Sequence, residues 1–199
     1  LGAGSVIHAG GSNDLPRMGA LARRMPQTAI VFIIGTLSLA GIPLFGGFLS
    51  KEEILGAVWA GGLPGPFAVL MLVAFLTAFY MFRVVFLAFF GAPAAPDAHA
   101  PADAHGHGAA HEPHEPPVTM LLSLWTLAIL TMAVGVYFTF NRGEAEAGSP
   151  EWLTPSAVGV ATAGILLAWL TYQRRAIDAA SLAGLFGPIR RAALAKFWV

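Results

Sequence analysis

The sequence has no cysteine among its 199 residues, which removes disulfides, thiolate catalysis and cysteine-ligated metal or iron–sulfur centres from this chain. Charge is scarce as well: Lys, Arg, Asp and Glu together make 11% of residues and cancel to a formal net charge of zero, where an average soluble domain is roughly a quarter charged. Without a concentrated basic face there is no footprint for nucleic acid. The lone serines and paired acids form no nucleophile–base constellation, so nothing points to hydrolysis. A basic leader is missing too, and the apolar start at Leu1 reads as the tail of a helix rather than a signal peptide. The far end stops inside an amphipathic pattern at Trp198 and Val199, so both ends are expected to be cuts.

What the sequence has in excess is apolar residues, 56% of the total, and they come in unbroken blocks rather than at the spacing of half-buried elements. A bilayer core about 30 Å thick takes roughly 20 apolar residues as a helix. Four segments meet or approach that length: Ala29 to Ser50, Pro66 to Phe90, Val118 to Phe140, and the shorter Ser156 to Tyr172. In the last, the pairs Gly159/Ala163 and Gly164/Ala168 predict a small-residue face for a close helix neighbour. Arg17, Arg23 and Arg24 precede the first span, and Arg174, Arg175, Arg190, Arg191 and Lys196 follow the last. The opposite loops hold only Lys51 and Arg142, so the positive-inside rule places both ends, and residues 91–117 between the middle spans, in the cytoplasm. Residues 91–117 are rich in Ala, Pro, His and acids and read as a flexible linker. Residues 173–199 carry Leu182, Leu185, Phe186, Ile189, Ala193 and Phe197 at helical spacing beside basic residues, the pattern of an interfacial or subunit-docking helix.

The first span continues as an apolar stretch to Ala60, about 32 residues or some 48 Å as one straight helix, too long for a simple crossing. In its middle lie Gly41, Pro43, Gly46 and Gly47, which remove a backbone donor and weaken the helix. A break there resolves the length, and interrupted helices at membrane depth persist where they line transport paths. Lys51 follows the break and is expected near the bilayer middle. Ser50 and Glu53 fit a capping box that would restart the helix and put Lys51 at its positive dipole end, with Glu52 and Glu53 opposing that field. A lysine balanced between such influences can gain and lose a proton. The plainer alternative is a lysine that snorkels to the membrane surface from an ordinary capped helix.

Four stretches, LGAGSVIHA at 1–9, MGALARRMP at 18–26, LAGIPLFGGFLSKEEIL at 39–55 and FYMFRVVFLAFFG at 79–91, resemble the subunit L family of respiratory complex I (NADH:quinone oxidoreductase). The specific motifs lie in the first 91 residues, and the rest matches in hydropathy and spacing. The resemblance implies an all-α antiporter-like bundle with a broken helix whose lysine, here Lys51, takes part in proton release, with Glu52 as its acidic neighbour and His8 at the end of the preceding helix. Arg83 stands where the family also has arginine. It further implies partner membrane subunits, with FMN, iron–sulfur clusters and quinone on other chains, no cofactor here, and a bacterial-type inner membrane. The family's first broken helix, with its glutamate–lysine pair, has no counterpart in these residues.

The expected architecture is therefore an all-α membrane protein with an N-terminal helix stub, four spans, one of them interrupted, and a C-terminal amphipathic segment. His8 also fits a helix-end histidine bonded to a carbonyl, and Arg83, about 10 Å from its helix end, fits a snorkelling anchor. His99, His105, His107, His111 and His114 lack a ligand scaffold and read as a solvated loop. The rival functions are the large subunit of a multisubunit cation/proton antiporter or membrane-bound hydrogenase, which shares the GF-x-SKE core, and a non-pumping membrane scaffold. The Glu52–Glu53–Ile54–Leu55 continuation favours complex I.

Overall fold

The computed structural model describes residues 1–10 (backbone only for 8–10), 15, 18–92, 114–141 and 150–174. The linker histidines other than His114, the loop at 142–149 and the amphipathic segment from 175 onward lie outside the described residues, as does Arg17. Among the described residues there are helices and no strands. In order they are α1 (Gly2–Gly10), α2 (Leu21–Arg24), α3 (Pro26–Ala40), α4 (Gly46–Ala60), α5 (Pro64–Val84, continuing into a π turn at Val85–Phe89), α6 (Val118–Phe140) and α7 (Leu153–Ala168, continuing into a π turn at Trp169–Gln173).

Among the described residues three helices are long and apolar enough to cross a membrane: Pro64–Phe89, Val118–Phe140 and Leu153–Gln173. The expected first span is instead two shorter helices, α3 and α4, of 15 residues each. Neither half, at about 22 Å, matches a 30 Å core alone. α6 shows what solvent these helices meet: only Ala128 and Gly135 are buried, while Leu122, Leu127, Ile129, Leu130, Tyr137 and Phe138 are exposed. An apolar surface of that extent does not stand free in water.

α5 and α7 pack along a seam of small residues. Ala78, Ala161 and Ala168 are buried there in one cluster, and a Cβ at Gly164 would come 2.6 Å from the Phe75 carbonyl oxygen of α5. Of the two predicted small-residue pairs, Gly164/Ala168 forms the contact. Gly159 has open space around it and Ala163 is exposed, because one helix face meets one neighbour and the other pair lies on a different face. Gly164→Ala is expected to destabilise the detergent-solubilised protein by about 1–3 kcal/mol through overpacking. Gly159→Ala is expected to stay within about 0.5 kcal/mol. Thermal unfolding followed by circular dichroism reads both.

Two ends of the bundle are marked. Near the C-terminal ends of α5 and α7 the two π turns pack together, and Ala20 N–H donates to the Gly91 carbonyl at 3.1 Å, holding α2 beside them. α3 begins at this end, where the Glu115 carboxylate accepts from Gln27 N–H at 2.7 Å and from the Thr28 hydroxyl at 2.6 Å. A carboxylate there satisfies an orphan donor at the positive end of a helix. At the opposite end Trp59, Phe67 and Trp152 meet edge to face, with centroids 4.8 to 5.9 Å apart, as aromatic residues do at a membrane–water boundary.

Candidate functional site: the interrupted helix

α3 stops because its last turn closes on Gly41, which sits at φ 81°, a left-handed conformation that glycine adopts without a Cβ penalty. Gly41 N–H bonds to the Ser38 carbonyl and Ile42 N–H to the Leu37 carbonyl, both at 3.1 Å. These are the paired bonds of a Schellman ending, and Leu37 and Ile42 share the same apolar cluster, the contact that usually accompanies it. Pro43 follows, where no helical N–H is needed. Leu44 turns the chain at φ 75° and extended Phe45 starts α4.

The restart differs from the predicted capping box. α4 begins at Gly46, so Ser50 lies inside it, and its hydroxyl donates to the Gly47 carbonyl at 3.3 Å. The N-terminal cap comes from another helix: Gly47 N–H donates to Ser38 Oγ of α3 at 3.1 Å. Glycine is required at 47, because a Cβ there would collide with the Ser38 carbonyl oxygen.

Lys51 is thus in the second turn of α4 rather than at its positive end. Its half-buried side chain runs back past Gly41, and its amine donates to the Leu39 carbonyl at 2.5 Å. Leu39 belongs to the last turn of α3, whose carbonyls lack intrahelical donors and form the negative end of the helix dipole. The dipole at the amine therefore has the sign opposite to the one expected, because the side chain spans the break to the preceding half-helix. Glu52 points elsewhere: it is buried, 6% exposed, and accepts from the Thr154 hydroxyl in the first turn of α7. Removing that donor in Thr154→Val is expected to lower stability by about 1–3 kcal/mol, since a buried carboxylate loses a partner; Thr154→Ser is expected to keep most of it in the same unfolding measurement.

α6 completes the site. Ser38 Oγ and Thr131 Oγ1 are 2.9 Å apart, and a Cβ on Gly135 would strike the Leu44 carbonyl. Ser38, Thr131, Gly135 and Thr154 are the residues that sequence reasoning missed. Beside them a cavity of about 550 Å³ is lined by Phe32, Thr36, Ser38, Gly47 and Thr131 among others, and the Thr36 hydroxyl is buried there with no partner among the described residues. The other candidates lie apart. His8 is in α1, with its side chain outside the described residues. Arg83, exposed in the last turn of α5, has its guanidinium 5.6 Å from the Tyr172 ring centroid of α7, as an anchor would.

Residues 1–92 match a family described as NADH:quinone oxidoreductase/Mrp antiporter, TM. Over its whole length the chain is 36% identical to an NAD(P)H-quinone oxidoreductase chain 5 of Picosynechococcus, covering 35% of that protein. It is 41% identical to NADH-quinone oxidoreductase subunit L of Campylobacter jejuni over 69% of this chain and 21% of that one. An F(420)H(2) dehydrogenase subunit L of Methanosarcina mazei is 32% identical over 95% of this chain and 32% of its own length. The chain thus spans about a third or less of these curated relatives. The family and the apolar helices together support a multi-pass membrane protein.

Proposed function

This stretch matches an antiporter-like subunit of complex I, and on that premise we propose that the protein is a proton-translocating membrane subunit of an NADH:quinone oxidoreductase. Lys51 is its proton carrier. The observation that carries the reading is the amine seated on the Leu39 carbonyl across the helix break. A carbonyl accepts a hydrogen bond from an ammonium or a neutral amine alike. The residue can therefore release a proton without leaving its seat, while the break supplies backbone carbonyls that a continuous helix would have used up.

Glu52, held by Thr154, is the nearby acid that shapes the field. His8 is a further relay candidate at the end of α1, and Arg83 anchors α5 to α7. α3 and α4 together make one interrupted crossing, giving four spans in a bacterial-type inner membrane with residues 91–117 and the C-terminal end cytoplasmic. NADH, FMN, iron–sulfur clusters and quinone belong to partner subunits, and electron transfer there drives proton movement here.

A second reading rests on the family description, which includes Mrp antiporters: a subunit of a cation/proton antiporter. Affinity purification of the tagged protein from its native membrane separates the two. The first expects co-purifying chains with flavin and iron–sulfur absorbance and NADH oxidation. A redox-silent assembly that exchanges cations for protons would contradict it, and a redox-active complex pumping normally without this subunit would make the chain a scaffold.

A further inference from the structure

We propose that Ser38 and Thr131 are positioning residues for Lys51, forming a hydroxyl clamp through which α6 sets the geometry of the break. The inference rests on the reading of Lys51 as proton carrier. Ser38 stands one residue before Leu39, whose carbonyl holds the amine, and Ser38 Oγ is also the cap of α4 through Gly47 N–H at 3.1 Å. One side chain therefore ties the end of α3 to the start of α4. Its remaining hydrogen-bonding capacity is directed out of the interrupted helix, to Thr131 Oγ1 at 2.9 Å.

The grip extends over a full turn of α6. Position 131 holds the break by a hydroxyl. Position 135, four residues on and on the same helix face, holds it by having no side chain, because the Leu44 carbonyl occupies the space of a Cβ. Leu44 is itself a non-glycine residue at φ 75°, a conformation that persists where surrounding packing enforces it. Thr131 lies 13 residues along α6 from Val118, about 20 Å by helical rise, so the clamp sits in the interior of the span. A slide of α6 by one residue, about 1.5 Å, would stretch the hydroxyl pair, release the cap on Gly47 and shift the carbonyl from the amine. Most of α6 is exposed in this chain, so neighbouring helices could transmit such a movement.

The test uses the full-length protein in its assembled complex, in sealed vesicles, with protons moved per NADH oxidised as the readout. Thr131→Val and Ser38→Ala are each expected to leave complex content and NADH oxidation near wild type while lowering protons per NADH at least about fivefold, the scale of a coupling between sites. The double variant is expected to be no worse than Ser38→Ala, which alone already removes both the hydroxyl pair and the cap on Gly47, and Thr131→Ser to restore the ratio. If both single variants keep the ratio while Lys51→Ala loses it, the clamp is wrong and the proton-carrier reading stands. If Lys51→Ala keeps it too, that reading is wrong. Loss of complex content with a normal ratio per remaining complex would assign the pair to packing and overturn the proposal.

Discussion

Lys51→Ala in the assembled complex is expected to cut proton translocation by about a hundredfold, the lower end of what a positioned proton-transfer group contributes, while NADH oxidation continues. The side chain spans the helix break to the Leu39 carbonyl. Alanine would leave that carbonyl without its donor and the path without an exchangeable proton. Lys51→Arg sharpens the point: guanidinium keeps the positive charge and can still donate to the carbonyl, but it does not deprotonate in proteins. An anchoring or charge-pairing role survives that substitution, whereas a carrier role does not. Proton uptake by vesicles, normalised to NADH consumed, distinguishes the two.

Gly135→Ala is expected to disturb the fold strongly for its size. Its Cβ would meet the oxygen and carbon of the Leu44 carbonyl and the carbonyl carbon of Phe45. All of these are backbone atoms, in a turn that already holds Leu44 in the left-handed region. A flexible side chain could move aside; a backbone turn closed by Gly41 on one side and the Ser38 cap on the other cannot. A loss of about 3 kcal/mol follows from overpacking of that kind, read as a lower unfolding temperature. Proton translocation is expected to fall with it even in the fraction that remains folded, because the same turn sets the amine's position. An unfolding temperature equal to wild type would show that α6 yields more readily than its packing implies.

Much of the scaffold could be read along the chain where its signals are local. α6 runs from Val118 to Phe140, the bounds expected from an apolar block between Pro117 and Asn141. α5 starts two residues early because Pro64, like Pro66, fits a first helical turn, and its end winds into a π turn. α7 likewise starts at Leu153 rather than Ser156. Local signals misled at the restart. Ser50 and Glu53 have the spacing of a capping box, yet the cap belongs to Ser38, a bond made only after α3 and α4 fold against each other. Gly46 and Gly47, which the sequence places in the break, form the first turn of α4, where their lack of side chains admits α3 and α6.

The field at Lys51 differs from the sequence expectation for the same reason. Sequence order puts Lys51 after a helix start, but a four-carbon stem reaches back over Gly41 to a helix end, which reverses the sign of the dipole. Thr131, Gly135 and Thr154 stand about a hundred residues or fewer from their partners and carry no motif. An isolated threonine in an apolar helix usually bonds its own preceding turn, as Thr77, Thr126 and Thr139 do here. Nothing local distinguishes the threonines that join two helices.

The absence of cysteine from these 199 residues makes the central claim directly measurable. A single Lys51→Cys substitution in the full-length protein, with cysteines elsewhere in the complex blocked beforehand, can be challenged with a membrane-impermeant maleimide from each side of sealed vesicles. Gly62→Cys, in the turn between α4 and α5, serves as the exposed control. If Lys51 belongs to an interrupted crossing and faces inward onto α3, the thiol at 51 is expected to stay unlabelled from both sides while that at 62 reacts from one. Labelling at 51 as fast as at 62 would place the residue at the surface and contradict the account.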